Sequence, residues 1–119
     1  MNKDILGKQG EKIAEKFMLS KGYELLCRNY RYNRAETDII LIDKKTKTIV
    51  FTEVKTRRSK TFGEPEESIT YKKSEQMIKS ADGFISEHPE YEDYDRRIDV
   101  VTIYIEGNKK TINHIENAV

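Results

Sequence analysis

The stretch Thr37–Lys55, TDIILIDKKTKTIVFTEVK, contains two apolar runs separated by a short polar segment. The first run, Thr37 to Ile42, is nearly continuous and β-branched, which is typical of a strand buried on both faces. Asp43 to Lys47 is polar and charged, as a turn requires, and Thr48 to Lys55 is the next apolar run. Two such runs joined by a short polar turn predict a β-hairpin.

Helical and strand patterns surround this hairpin. A helix is predicted from about Lys3 to Lys21, where apolar residues recur at helical spacing and Gly22 follows as a stop. A second helix is predicted from Pro65 or Glu66 to Glu87, because proline suits a first helical turn. The remaining predicted elements are three strands and two loops: strands Tyr23–Tyr32, Ile98–Ile105 and Thr111–Ile115, a basic loop Thr56–Glu64 and an acidic loop Glu90–Asp95. The order α-β-β-β-α-β-β indicates an α/β fold, a small mixed sheet with helices on its faces.

The composition limits the class of protein. A chain of 119 residues is expected to form one domain over residues 1–119. Charged and hydrophobic residues each make up 36%, and the hydrophobic ones occur in blocks, which argues against disorder. With a net charge of +1, any nucleic-acid binding would depend on local basic clusters.

Cys27 is the one cysteine, which excludes an internal disulfide and fits a reducing compartment. The first residues, MNKDILGKQGEK, contain no apolar signal region, and no apolar run approaches the length of a membrane span. We therefore expect a soluble, cytoplasmic protein with no membrane partner.

Three ionisable residues, Asp38, Glu53 and Lys55, interrupt the apolar strands of the hairpin. An unpaired buried carboxylate is costly, so such residues are normally paired with a cation or bound to a metal. In an antiparallel hairpin the start of one strand lies beside the end of the other, which predicts that Asp38 and Glu53 are neighbours. Glu53 and Lys55 are two residues apart and should point to the same face.

This predicted cluster has the composition of a magnesium site. Two carboxylates and the backbone carbonyl of Val54 are hard oxygen donors, which suit Mg²⁺ or Mn²⁺ completed by waters and a substrate phosphate. Lys55 could orient a metal-activated water for phosphodiester hydrolysis. The alternative is a salt bridge from Lys55 to Glu53 or Asp38 without any metal, and the short motif leaves both open.

Basic residues follow this cluster directly. Lys55, Arg57, Arg58 and Lys60 place four cations in six residues, a pattern that favours contact with a phosphate backbone. The alternative is an ordinary solvated loop. A second basic and aromatic cluster, which includes Arg31, precedes Asp38 and could continue the same surface or protect an edge strand from aggregation.

Beyond the hairpin, nearly the whole chain resembles a known family. Asp38 followed 15 positions later by Glu53-Val54-Lys55 resembles the PD-(D/E)xK nuclease signature. The segments GKQGEKIAEKFMLSKGYELLCRNYRYNRAETDIILI, IVFTEVKTRRSKTFGEPEESITYKKSEQMIKSADGFI and RRIDVVTI resemble the YraN family of small bacterial proteins. That resemblance covers roughly Gly7 to Ile103. It implies a restriction-endonuclease-like fold related to archaeal Holliday junction resolvases.

The resemblance assigns roles by position. Asp38, Glu53 and Lys55 match the superfamily's two catalytic acids and its lysine, and Glu11 matches a helix glutamate that joins the metal site in related resolvases. Arg57 and Lys73 match basic positions after the triplet and in the second helix. The expected activity is Mg²⁺- or Mn²⁺-dependent DNA cleavage on structured or branched DNA, by a protein that could form a homodimer as related resolvases do.

One departure and several other charged residues qualify this assignment. The family usually has glycine at the position of Ala35, so the loop before Asp38 differs while the aspartate is kept. Glu36 is either a further metal ligand or a partner of Arg34. Asp99 is expected to pair with a nearby cation, and His88 and His114 have no zinc-ligand pattern around them; the cations considered for Asp99 are Arg96, Arg97 and Lys73.

Two rival functions belong to other classes. One is a non-catalytic module that binds nucleic acid or protein and retains the nuclease fold. The other is a structural assembly protein, which would bind neither metal nor DNA. A metal-dependent rise in thermal stability would separate the nuclease from both.

Overall fold

The computed structural model describes residues 3–58 and 69–119, and it contains one five-stranded sheet between two helices. The strands are β1 (Glu24–Tyr32), β2 (Ala35–Asp43), β3 (Thr48–Arg57), β4 (Asp95–Glu106) and β5 (Lys109–Ile115). The helices are α1 (Lys3–Ser20) and α2 (Tyr71–Glu87), and a short 3₁₀ helix (Pro89–Tyr91) precedes β4. The predicted order α-β-β-β-α-β-β is confirmed, and the layout is consistent with a small α/β nuclease-like fold.

The strands lie in chain order across the sheet, and β3 with β4 is its parallel pair. The predicted hairpin forms β2 and β3, which pair antiparallel from Asp43–Thr48 to Ile39–Thr52. The turn is stabilised by Asp43, whose carboxylate accepts a hydrogen bond from the Lys45 N–H at 3.0 Å. A parallel pair needs a long crossover, and the segment that contains α2 supplies it between β3 and β4.

Both faces of the sheet are buried, because α1 covers one face and α2 the other. Val50 packs in the core beneath α1, and the next residue, Phe51, packs in the core beneath α2. This alternation explains why the hairpin strands are nearly continuous apolar runs. Neither helix among the described residues is long and apolar enough to span a membrane.

The start of α2 differs from the prediction. The helix begins at Tyr71, and Thr70 is its N-cap, with extended backbone and a hydroxyl that accepts a hydrogen bond from the Lys73 N–H at 3.2 Å. This cap, five residues after the predicted Pro65, marks the start of the helix. Its hydroxyl satisfies an N–H that would be bonded within the helix if the helix began earlier. Residues 65–68 themselves lie outside the described residues.

The end of β3 also differs from the prediction. Thr56 and Arg57 belong to the strand rather than to the predicted loop, since β4 is long enough to pair with both of them. Strand β4 likewise begins at Asp95, within the predicted acidic loop. The remaining boundaries agree with the predictions to within a few residues.

Candidate active site

Strands β2 and β3 separate at the end of the hairpin. We call this region, which contains Asp38 and Glu53, the fork. Pairing between β2 and β3 stops at Ile39–Thr52, whereas β3 continues along β4 for five more residue pairs. Asp38 and Glu53 are the first residues beyond the last hairpin pair, as the antiparallel arrangement predicted. Asp38 Oδ2 accepts a hydrogen bond from the Val54 N–H at 2.8 Å, so a side chain replaces a backbone partner in the gap.

In strand β1 the side chains switch from one face of the sheet to the other, and this switch places Asp38 between the two faces. Arg28 and Tyr30 would share a face in a regular strand. Instead, Arg28 pairs with Glu15 of α1 at 2.6 Å, and Tyr30 packs against the core beneath α2. Between them Asn29 has φ of 50°, a left-handed conformation that asparagine tolerates better than most residues. Asp38, opposite this switch, is therefore accessible to groups from both helices.

Cations approach Glu53 from two elements. Phe51 packs beneath α2, so the alternating strand places Glu53 and Lys55 on that same face. Lys55 lies near enough to favour the ionised form of Glu53. Lys73 of α2 places its Nζ 3.3 Å from Glu53 Oε2, and this buried oxygen has no partner of hydrogen-bond geometry among the described residues. The sequence predicted Lys73 as a DNA contact, and the structure adds its ion pair.

The two carboxylates are held in an unfavourable electrostatic environment. Burial, together with the charge of Asp38, raises the pKa of Glu53 to about 7, although Lys73 opposes this shift. Burial also raises the pKa of Asp38, against the opposing effects of the Val54 hydrogen bond and Lys73. Positive charge near the two groups favours their ionised forms, as Lys73 already does.

Glycine allows α1 to approach the fork. A Cβ atom on Gly10 would lie 1.8 Å from Thr56 Oγ1, so any larger residue would push the helix away from the end of β3. The next residue is Glu11, whose carboxylate therefore reaches the Asp38 region. A direct approach of helix to strand explains why a glycine precedes this glutamate.

Glu11 shares the electrostatic environment of Asp38. Burial raises the pKa of Glu11, and the charges of Asp38 and Glu36 raise it further. A cavity of about 210 Å³ opens between α1 and the strands at this point. It is lined by Lys8, Glu11, Lys12, Glu15, Arg28, Asn29, Asp38 and Ile39. The cavity gives solvent and small ligands a route to Asp38 from the α1 side.

Comparison with known proteins places this chain in a family. The family model described as "Uncharacterised protein family UPF0102" matches residues 10–103. The chain belongs to the UPF0102 family. A UPF0102 protein of Caldicellulosiruptor bescii is 45% identical over 99% of both chains. UPF0102 proteins of Chlorobium phaeobacteroides, 41% identical over 95% of this chain and 92% of theirs, and Caldanaerobacter subterraneus, 37% identical over 99% and 97%, are also similar.

These matches confirm the resemblance at the level of the YraN-like family. The UPF0102 relatives have about the same length as this chain, and the match spans both the fork and α2. The names of these relatives state no activity.

The donor set of this UPF0102 fork fits a hard divalent cation with two carboxylate ligands. No three His, Cys, Asp or Glu side chains in residues 3–58 and 69–119 converge closely enough to form a metal site by themselves. Mg²⁺ commonly binds one or two carboxylates and keeps several waters, so Asp38 and Glu53 suffice. The Val54 carbonyl and Glu11 stay predicted ligands, and Glu11 does not complete a compact cluster with the other two.

The predicted DNA contacts are distributed around the fork. Arg57 and Arg58 are exposed at the end of β3, and the Arg57 guanidinium donates a hydrogen bond to the Thr56 carbonyl at 2.9 Å. Arg31 is exposed and pairs with Glu36 at 3.2 Å, so Glu36 pairs with Arg31 rather than with Arg34. Lys60 lies outside the described residues.

A further carboxylate, that of Asp99, is fully buried, and the sequence predicted its partners only in part. The predicted partner Arg97 is confirmed, since its guanidinium donates two hydrogen bonds of 2.9 Å to the Asp99 carboxylate. His114 Nε2 lies 2.7 Å from Asp99 Oδ2, and the Asn117 N–H donates to Oδ1 at 3.2 Å. Sequence reasoning missed His114 because the contact depends on the pairing of β4 with β5. The alternation of side chains along the last strand was the one available signal that His114 faces the sheet neighbour that carries Asp99.

Proposed function

We propose that this protein is a divalent-metal-dependent DNA endonuclease of the PD-(D/E)xK type. One observation carries the proposal: Asp38 and Glu53 lie together, half-buried, at the end of the hairpin, with Lys73 3.3 Å from Glu53. Burial raises the pKa of both carboxylates, and the charge of Asp38 raises that of Glu53 further; a bound divalent cation would offset these effects. In a purely structural ion pair, each carboxylate would instead have a cation as its partner, as Asp99 has Arg97.

The residues of the fork have separate tasks in this proposal. Asp38 and Glu53 would hold Mg²⁺ or Mn²⁺ with the Val54 carbonyl, and Glu11 would contact the hydrated ion from α1. The ion, when bound, lowers the pKa of a bound water and offsets the negative charge that develops on the phosphate. Lys55 would orient the attacking water by hydrogen bonding, because it lies on the same face as Glu53.

Lys73 would exchange partners during binding. It pairs with Glu53 at 3.3 Å, and its side chain is about one-third exposed, so the ammonium can turn toward a ligand. A divalent cation at Glu53 would repel Lys73, which is then free to hold a substrate phosphate. Arg57, Arg58, Lys60 and Arg31 would extend this phosphate-binding surface along the DNA.

The DNA structure and the oligomeric state come from the resemblance to resolvases. A branched or otherwise structured DNA fits a protein that handles two strands, and a homodimer would supply two forks. Both are proposals that stand apart from the chemistry of the fork itself.

A non-catalytic binding module is the second candidate, and one observation favours it. The Lys73–Glu53 ion pair partly neutralises the fork without metal. In such a module the fork would be a structural ion pair beside a phosphate-binding surface. It would bind DNA with no dependence on Mg²⁺ or Mn²⁺.

A cleavage assay separates the two candidates. Linear, flapped and four-way DNA are incubated with Mn²⁺ and wild type, Glu53→Gln or Lys55→Met, with the exposed Glu75→Gln as the matched control. We expect wild type and Glu75→Gln to cut at least one of the three substrates, whereas Glu53→Gln and Lys55→Met lose at least about 100-fold in rate. Equal cleavage by wild type and Glu53→Gln would overturn the proposal.

A further inference from the structure

A cavity of about 520 Å³ lies between the β1–β2 turn and α2. Its volume lies within the range of about 300 to 1,000 Å³ that small-molecule sites occupy. It is lined by Tyr32, Asn33, Arg34, Ala35, Gln76, Lys79 and Asp82. The cavity combines an aromatic ring, two amides and charged groups, which is the chemistry that contacts a nucleotide.

The walls of this cavity are fixed by packing. A Cβ atom on Gly83 would lie 2.2 Å from the Tyr32 ring, so glycine lets the ring rest directly on α2. The hydroxyls of Thr37 and Ser80 hydrogen bond across the buried contact between β2 and α2. Tyr30 in addition donates a hydrogen bond to Glu87 near the end of α2. Three contacts therefore join strands β1 and β2 to α2 next to the cavity, and they hold its two walls together without a ligand.

The charges around the cavity favour an anionic ligand. Asp82 is paired with Arg96 at 2.6 Å, which offsets its negative charge. Arg34 and Lys79 are exposed, and within the described part of the chain neither belongs to an ion pair. Two cations thus face a single, already neutralised carboxylate. A phosphate group is the anion that such a pair of cations binds most readily.

The cavity lies next to the fork along α2. Lys73, Gln76 and Lys79 follow each other at three-residue intervals on this helix. At a rise of 1.5 Å per residue, Gln76 and Lys79 lie about 4.5 and 9 Å along the axis from Lys73. Successive nucleotides of one strand in B-DNA rise about 3.4 Å each, so one to three nucleotides cover this distance.

We infer that this cavity binds an unpaired nucleotide of DNA next to the phosphate held at the fork. The Tyr32 ring stacks on the base, Arg34 and Lys79 contact its phosphate, and the amides of Asn33 and Gln76 meet the base edge. A base in a duplex cannot enter, because its edge is paired and both its faces are stacked. The inference rests on the proposed function, and it adds that the substrate carries an unpaired base beside the cut.

Binding without metal tests the cavity separately from cleavage. Fluorescence anisotropy with EDTA compares a blunt duplex with the same duplex carrying a short single-stranded overhang. We expect Tyr32→Leu, Arg34→Ala and Lys79→Ala to weaken overhang binding about 5- to 10-fold, with much less change for the blunt duplex. Tyr32→Phe keeps the ring and should bind as wild type does. Lys109→Ala, an exposed lysine of β5, is the matched control.

A fluorescent reporter gives a second reading of the same contact. The chain has no tryptophan, so Tyr32→Trp introduces a single indole at the cavity wall, and Tyr94→Trp provides one at the opposite end of the sheet. Base stacking should quench the first reporter and leave the second unchanged. Equal quenching of both reporters, or equal overhang affinity of wild type and the three cavity variants, would overturn the inference.

The failures of the two proposals can be distinguished. If cleavage depends on Glu53 but the cavity variants bind and cut as wild type does, the cavity inference fails and the endonuclease stands. If no metal-dependent cleavage occurs but the cavity variants still lose overhang binding, the endonuclease fails and the nucleotide cavity stands.

Discussion

The fork holds two half-buried carboxylates and the Asp99 cluster holds a fully buried one on a neighbouring position of the same sheet, yet their environments are opposite. Asp99 is paired in register with Thr52, the residue just before Glu53. Burial alone would raise the pKa of Asp99, but the contacts with His114 and Arg97 outweigh it and lower the pKa. In the fork, burial and the charge of Asp38 prevail, and the pKa of Glu53 rises to about 7.

The difference separates a structural carboxylate from a candidate functional one. Asp99 is fully buried and surrounded by donors, so its charge stabilises the fold. The hydrogen-bond donors and cations near Asp38 and Glu53 do not fully offset their two negative charges. This costs stability unless a ligand supplies a cation. Perturbed carboxylates of this kind cluster at functional sites.

The largest effect should come from breaking the structural cluster. Asp99→Asn removes the charge that Arg97 and His114 face, so the half-buried Arg97 keeps only the more exposed Glu116 as a charged partner. We expect a loss of about 3 kcal/mol in the free energy of unfolding, measured by urea denaturation. The exposed Asp93→Asn is the matched control and should change stability by less than about 0.5 kcal/mol. A loss equally small for Asp99→Asn would contradict the structural assignment.

A smaller effect should come from moving α1 away from the fork. Gly10→Ala places a methyl group against Thr56 and should cost about 1 to 3 kcal/mol in the free energy of unfolding. Gly7→Ala, where nothing lies within 4 Å of the new Cβ, is the matched control and should be neutral or slightly stabilising. A double-mutant cycle with Thr56→Gly should show favourable coupling. Additive effects would mean that Gly10 and Thr56 do not meet as described.

The pH dependence of metal-free stability should distinguish the two regions by sign. Because the pKa of Glu53 is raised from 4.5 to about 7, its stabilising contribution is present below pH 4.5 and is lost as the pH rises through 7. Asp99 has a lowered pKa, so its contribution is present above 3.8 and is lost at more acidic pH. Urea denaturation from pH 2 to 8 should therefore show the stability of wild type falling toward neutral pH because of Glu53 and toward strongly acidic pH because of Asp99.

The variant Glu53→Gln tests whether Glu53 causes the fall in stability toward neutral pH. The variant cannot ionise, so the decline near pH 7 should become shallower, while the acid side that Asp99 controls stays unchanged. Asp38 has a raised pKa as well, so its own contribution to the decline should remain. A wild-type decline that Glu53→Gln leaves intact would assign it to another group.

The sequence predicted the scaffold of the fork well, for a local reason. The β-branched runs on either side of Asp43–Lys47 determine a hairpin, and the hairpin by itself brings Asp38 beside Glu53. Strand alternation then places Lys55 with Glu53. These relationships depend on short-range periodicity, which a single sequence displays directly.

The partners supplied by distant elements could not be predicted in the same way. The Lys73–Glu53 pair depends on how α2 is rotated on the sheet, and the 15-residue separation of Asp99 and His114 is bridged only by β4–β5 pairing. The predicted start of α2 was wrong because Pro65 suits the first turn of a helix. The Thr70 cap is an equally local signal, and it competes with Pro65. The left-handed Asn29 that reorients the fork has no signature in the sequence pattern.

The most direct test of the fork is calorimetric titration of Mn²⁺ into the purified protein at pH 8, where Glu53 is mostly ionised. Wild type and Asp93→Asn should bind the ion with measurable heat and gain thermal stability by mass action, whereas Glu53→Gln and Asp38→Asn should lose at least about tenfold in affinity. Equal Mn²⁺ binding by wild type and Glu53→Gln, or no binding by wild type at millimolar Mn²⁺, would contradict the account.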